Sequence, residues 1–269
     1  MPRLARLILK STMVVLILYV ALALLFYVFQ EKFVFQGKAL PHDYTFEFKQ
    51  PFREFTIPTP DGEQLSALFF PGEDSSRGLI LYFHGNADNL QRWGNYAVDF
   101  TWRNYDVLMV DYRGYGKSTG KPTEDLLYRD AETVWAFARD SLRPPVTIIY
   151  GRSLGSAVAS HLAMTHTPAV LILETPFDEM ASVIYPAVFA PLRGLPAKHY
   201  FSNSRHLAGV KSRKVIIAGE DDWIVPLACT ERLKPMLSSD DQFIVIEGGG
   251  HHNLREFDEF HQALRQALP

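Results

Sequence analysis

The chain has a single cysteine, Cys229, among its 269 residues, so no intramolecular disulfide can form and no Cys-x-x-Cys pair exists for a structural zinc. Charge of one sign is also lacking: 27 Lys and Arg stand against 30 Asp and Glu, a formal charge of −3, and the basic residues are not clustered. Nucleic-acid binders concentrate cations on one face, so nucleic acid is not an expected partner. No Gly-x-Gly-x-x-Gly follows a candidate strand, and the His251-His252 pair lacks His-Glu-x-x-His spacing. Neither a dinucleotide nor a metal cofactor is therefore implied. Internal repeats, low-complexity tracts and an interdomain linker are missing too, and nothing specifies an oligomer. A hydrophobic content of 47% excludes disorder and leaves a globular chain with something extra.

The extra part is a stretch without charge. Residues 11–29 carry none, and Leu7, Ile8 and Leu9 extend the apolar run across Lys10. As a helix these residues would rise about 28 Å, close to the thickness of a bilayer core. One membrane span fits. Arg3, Arg6 and Lys10 precede it, whereas Glu31, Lys32 and Lys38 follow, so the positive-inside bias places the N-terminus in the cytoplasm and the rest outside. A cleaved signal peptide competes, because Ala21-Leu22-Ala23 has the small-x-small form of a cleavage site. The apolar run continues beyond it through Leu24 to Phe29, which favours an uncleaved anchor. On this reading residues 1–31 are a membrane anchor, 32–50 a connector and 51–269 one catalytic domain.

Beyond the connector, short apolar runs alternate with amphipathic stretches, the pattern of an α/β fold. Residues 52–57 and 65–70 flank the turn signal Pro60-Asp61-Gly62 and predict an opening antiparallel hairpin. The runs at 79–83, 107–110, 146–150, 170–173, 215–218 and 243–246 predict parallel strands covered on both faces. Helices are predicted over 92–103, 123–140, 154–166, 226–237 and 254–268. Thr123 caps the second of these, and Pro144-Pro145 ends it before the next strand.

Gly151-Arg152-Ser153-Leu154-Gly155 spells Gly-x-Ser-x-Gly where a strand hands over to a helix. The glycines permit a sharp turn that lifts a serine hydroxyl above the sheet edge, and the helix aims its first amides at developing negative charge. Ser153 is the candidate nucleophile; the bland alternative is a serine that merely caps a helix.

Here the chain resembles the α/β-hydrolase superfamily, from Phe52 to the C-terminus. Tyr82-Phe83-His84-Gly85-Asn86-Ala87 is similar to that family's oxyanion-hole turn, and Asp111-Tyr112-Arg113-Gly114-Tyr115-Gly116-Lys117-Ser118 to a segment of its lipase- and esterase-like members. More narrowly, the chain resembles a membrane-anchored serine-hydrolase branch that includes single-span bacterial proteins and relatives of eukaryotic depalmitoylases. Ser156 departs from it, standing where a third glycine is common.

The family's order of nucleophile, acid and histidine points to Asp222 and His251. His251 follows Gly248-Gly249-Gly250 at the end of the last strand, with His252 as its near alternative. Asp222 precedes Trp223-Ile224-Val225-Pro226 in the register where the family places an aspartate, with Asp221 the neighbour to weigh against it and Glu174 and Asp178 a second source of acid. The oxyanion donors implied are the backbone N–H groups of Asn86 and Leu154. His84 reads as a residue that orders its turn, and Asp111 with Arg113 as a buried pair beneath the site.

The fold class expected is thus a mostly parallel sheet flanked by helices, with an N-terminal transmembrane helix and a short cap. The function expected is serine-dependent cleavage of a carboxylic ester or thioester, with a serine peptidase or amidase and a noncatalytic binding protein as competitors. The cap, 175–214, holds Met180, Val183, Ile184, Tyr185, Val188, Phe189, Leu192 and Leu195 broken by Pro186, Pro191 and Pro196. Such an insert could line a pocket for a small-molecule or lipid acyl substrate, or simply pack a helix onto the sheet.

Overall fold

The computed structural model describes residues 3–184 and 198–269. Of the cap residues named above, Tyr185 to Leu195 and Pro196 lie outside the described residues.

Eight strands form one sheet: β1 (Arg53–Pro58), β2 (Gln64–Phe70), β3 (Leu79–Phe83), β4 (Asp106–Val110), β5 (Thr147–Arg152), β6 (Val170–Glu174), β7 (Arg213–Gly219) and β8 (Gln242–Ile246). Their spatial order is β8-β7-β6-β5-β3-β4-β2-β1. β1 and β2 pair antiparallel, β2 pairs antiparallel with β4, and all remaining pairs are parallel. The predicted hairpin is present, with Ile57 opposite Leu65 and Gly62 in the left-handed region its turn demands. The apolar strands are buried throughout, as runs covered on both faces must be. β8 is the exception: it is an edge strand, half-buried along most of its length with Val245 exposed, so one apolar run belongs to a rim rather than to the interior.

The helices are α1 (Arg3–Val34), α2 (Leu90–Trp93), α3 (Val98–Thr101), α4 (Glu124–Phe137), α5 (Leu154–Thr165), α6 (Met180–Ile184), α7 (Asn203–Leu207), α8 (Leu227–Glu231) and α9 (Asp258–Ala267). α4 begins as predicted, the Thr123 hydroxyl accepting from Leu126 N–H and Glu124 and Asp125 complementing the helix dipole. It ends in a wider turn over Ala138–Leu142, closed by Arg143 at φ +49°. Two predicted helices are broken. The 92–103 stretch is α2, a 3-10 turn at Gly94–Tyr96 and α3, while 226–237 is α8 followed by a 3-10 turn at Lys234–Met236. Gly94 and Pro235 explain the interruptions, the one for want of helix propensity and the other for want of an N–H.

Two cores sandwich the sheet. Leu127, Ala131 and Val134 of α4 and Ala157, Val158 and Leu162 of α5 meet one face; Phe100 of α3 and Phe260 and Leu264 of α9 meet the other. Burial of a side chain the size of Phe260 or Leu264 contributes about 2 kcal/mol. Because the parallel strands point the same way, the loops after β3, β5, β6, β7 and β8 gather at one edge, and strand order reverses at β3. A crevice outside that reversal is where open parallel sheets hold their sites.

The residues between the apolar helix and β1 are laid against this sheet. Gln36–Gly37 pair in parallel with Ala87–Asp88, Ala39 bridges Gly116, and Phe46 is buried. α1 itself is exposed over most of its apolar length, but Val34 and Gln30 at its end are buried.

Candidate active site

Close backbone approach makes the turn after β5. A Cβ on Gly155 would lie 2.0 Å from the Phe83 carbonyl oxygen, and one on Gly151 would lie 2.4 Å from that of Gly155. Only glycine fits, and this is the physical content of the Gly-x-Ser-x-Gly spacing. Ser153 between them adopts φ +51° and ψ −117°, a conformation that costs an L-residue roughly 1–3 kcal/mol. The surroundings enforce it: Ser153 N–H donates to the Glu174 carbonyl at 2.9 Å, and the Ser153 carbonyl accepts from Ser156 N–H at 2.9 Å and from the Ser156 hydroxyl at 2.6 Å.

His251 comes to this serine from the loop after β8. Gly248 at φ +67° turns the chain, Asp221 N–H donates to Gly249 O at 2.8 Å, and Asn253 Oδ1 accepts from Gly250 N–H at 2.7 Å. The imidazole is buried, with Nε2 3.1 Å from Ser153 Oγ and Nδ1 2.7 Å from Asp222 Oδ2. Asp222, buried after β7, accepts through Oδ1 from the N–H groups of Ile224 and Val225 at 2.9 and 2.8 Å. One oxygen is thus occupied by backbone and the other is left for the imidazole. A carboxylate on Nδ1 keeps the proton there, so Nε2 presents a lone pair to the serine hydroxyl. The neighbours weighed against these residues stand apart: Asp221 and His252 are exposed. Glu174 is buried but serves the Tyr150 hydroxyl and Arg152, and Asp178 pairs with Arg232.

The turn after β3 faces the same serine. A Cβ on Gly85 would lie 3.7 Å from Ser153 Cβ, so the Gly85-Asn86 peptide passes directly beside it. His84 is fully buried and its Nδ1 lies 2.7 Å from the Gly85 carbonyl oxygen, which can only accept. The bond therefore fixes the peptide unit that carries the Asn86 N–H. The other ring nitrogen faces Asp111 Oδ1 at 3.4 Å, and burial raises the Asp111 carboxyl above its ordinary range against the pull of His84. Tyr112 donates to the His84 carbonyl at 2.7 Å, and Tyr115 to that of Asn86 at 2.8 Å. His84 orders its turn as expected. The expected Asp111–Arg113 pair does not form. Arg113 instead forks onto Asp61 at 2.7 Å and Asp130 at 2.7 Å, tying the β1–β2 turn to α4, because Asp111 is already taken by His84 and by Leu90 N–H.

Arg152 escaped the sequence reading. Its side chain is 2% exposed, Nη2 donates to the His251 carbonyl at 2.7 Å, and Nη1 lies 3.4 Å from Glu174 Oε1. The guanidinium also lies over the rings of Tyr96 and Trp93, at 4.8 and 5.4 Å. The residue preceding the serine thereby holds the backbone of the histidine. A charge at the end of an otherwise apolar strand was the signal available. Among the described residues no group of three His, Cys, Asp or Glu side chains is placed to hold a metal ion.

A family model described as serine aminopeptidase, S33, matches residues 74–200, which include the turn after β3 and the turn at Ser153. An uncharacterized protein of Mycobacterium tuberculosis is 35% identical over 207 residues, spanning 75% of this chain and 73% of the relative. Human alpha/beta hydrolase domain-containing protein 17B is 28% identical over 219 residues, covering 79% of this chain and 73% of its own. The chain belongs to the α/β-hydrolase superfamily. Among solved structures, an esterase of Pyrococcus furiosus superposes with a TM-score of 0.67 at 16% identity, across 88% of this chain and 99% of that one, a likeness of fold. This α/β hydrolase adds an N-terminal helix whose 3–25 portion is long and apolar enough to cross a membrane.

Proposed function

We propose that the protein is a membrane-anchored serine hydrolase that cleaves carboxylic esters or thioesters through an acyl-enzyme. Ser153 attacks the carbonyl carbon while His251 Nε2 takes its proton, and Asp222 holds the imidazole and stabilises the imidazolium that forms. The tetrahedral oxyanion is met by the N–H groups of Leu154 and Asn86. His251 then protonates the leaving alcohol or thiol, and a water, activated by the same imidazole, releases the carboxylic acid and restores the serine. The observation that carries this reading is the unbroken chain from Ser153 Oγ through His251 to Asp222, at 3.1 and 2.7 Å. Anchor, connector and catalytic domain are assigned to 1–31, 32–50 and 51–269, the last on the extracytoplasmic side by the positive-inside rule.

The name of the matched family supports a second reading, cleavage of an amide by the same groups. An aminopeptidase needs a carboxylate for the substrate's ammonium; Glu174 and Asp111 are buried and engaged by Arg152 and His84, whereas Asp221 beside Asp222 is exposed. A fluorophosphonate probe tests both: wild type is expected to be labelled and Ser153→Ala not. Acyl p-nitrophenyl esters and aminoacyl amides then separate the two bonds. A folded wild type that resists the probe would leave a noncatalytic binding protein.

A further inference from the structure

The end of α1 is docked onto the domain at several levels. Ala23 is buried beside Tyr19 and packs against Ala181 and Ile184 of α6. One helical turn or more further on, Gln30 Oε1 accepts from Lys198 N–H at 2.9 Å, and Lys198 Nζ lies 3.3 Å from Glu31. Phe35 meets the His199 ring edge-on at 5.0 Å, and Gln36 N–H donates to Asn86 O at 3.1 Å. From Ala23 to Val34 the helix rises about 16 Å. Contacts spread over that length fix its direction relative to Ser153, so the span is no loose tether. The charge-free apolar run continues past the contact with α6 and ends at Phe29. α6 therefore meets α1 about 9 Å along the helix from the end of that run, in the outer part of the proposed span.

Two large aromatic side chains stand exposed at this same edge of the sheet. Trp223, 80% exposed, directly follows Asp222, and Tyr200, 64% exposed, follows the Lys198-His199 contact with α1. Indole and phenol rings favour the headgroup layer, with an apolar body and a polar tip. By contrast, Trp102 precedes β4 and so lies at the opposite edge.

We propose that the rim of the active site lies against the lipid surface, with α6 and the Trp223 ring at the boundary between headgroups and acyl chains, so that the acyl chain reaching Ser153 is drawn from the bilayer leaflet. This rests on the hydrolase reading for its acyl half and on α1 as a span for its membrane half.

The test uses the full-length chain in phosphatidylcholine vesicles, with or without bromine on the acyl chains near the headgroup. Emission of wild type minus that of Trp223→Phe isolates Trp223. The expected result is quenching of that difference by lipid bromine and protection from aqueous acrylamide. Ile184→Trp in the Trp223→Phe background should behave the same way, whereas the emission lost in Trp102→Phe should be quenched by acrylamide and not by lipid. Acrylamide quenching of Trp223 with no response to lipid bromine would overturn the proposal, as would lipid quenching of Trp102 to the same degree. Release of the protein by alkaline carbonate would also overturn it, by removing the span. Ser153→Ala should show the same quenching. If quenching holds while fluorophosphonate labelling of wild type fails, the docked surface stands and the acyl half falls with the hydrolase reading.

Discussion

Arg152 shows how one side chain can link two residues nearly a hundred positions apart. It is covalently next to Ser153 and hydrogen-bonded to the carbonyl of His251, so the strand that carries the proposed nucleophile sets where the proposed base stands. Lysine at this position keeps a positive charge near Glu174 but cannot fork toward a second acceptor. Arg152→Lys is expected to lower kcat on the order of tenfold with little change in KM, since the loss falls on alignment rather than on substrate binding. The rate of phosphonylation by a fluorophosphonate should fall in parallel while thermal unfolding shows the chain folded. An unchanged rate would reduce Arg152 to a stabilising role. Ser156, the departure from the family's glycine, has its own account at this scale. Its hydroxyl donates to Ser153 O and accepts from the Asn203 side chain at 2.8 Å, so a hydroxyl there binds the turn to α7.

Between α5 and α7 this bond continues into a buried polar layer. Asn203 Oδ1 accepts from the Ser160 hydroxyl at 2.8 Å, and Ser160 Oγ lies 3.1 Å from His206 Nδ1. His161 stacks on Tyr128 at 4.0 Å and meets His206 edge-on at 5.1 Å. Burial, and then His161, push His206 down to about 4; burial also lowers His161 and His199, against the nearby Glu124. With its folded pKa below the unfolded value, His206 takes up a proton on unfolding at intermediate pH. Its contribution is therefore full above about pH 6.5 and is lost as pH falls toward 4, by about 2–3 kcal/mol at most. Urea unfolding at pH 7 and pH 4.5 should show that loss in wild type and a smaller one in His206→Gln, whose amide can still reach Ser160. Equal losses would assign the acid sensitivity to other groups.

At the scale of the molecule, the apolar helix and the turn proposed to hold the oxyanion are parts of one assembly. The Asn86 carbonyl accepts from Gln36 N–H, two residues past α1, and from the Tyr115 hydroxyl at 2.8 Å, while the Asn86 side chain donates to Val34 O at 3.3 Å. Tyr115→Phe removes one of these holds and little bulk. It is expected to cost about 1 kcal/mol of stability and to lower kcat several-fold at constant KM, because the Asn86 N–H is aimed less well at the oxyanion. Wild-type kcat in Tyr115→Phe would mean that His84, Gln36 and Val34 hold the turn without the Tyr115 hydroxyl.

Sequence by itself determined the class of the fold, the strands and the apolar helix, because burial on two faces and a charge-free run are local patterns that any tertiary arrangement must respect. It also supplied Ser153 as a candidate from its glycine-flanked strand end and, through the resemblance to a known family, Asp222 and His251. Tertiary structure decided what adjacency along the chain cannot reveal. It broke two predicted helices at Gly94 and Pro235, gave Asp111 to His84 rather than to Arg113, turned β8 into a rim, and brought Arg152 beneath His251. It also laid the end of α1 on the turn at Asn86. The reason is common to all of these. A buried charge or an unpaired amide must find its partner in space, and which partner is free depends on every other pairing made at the same time.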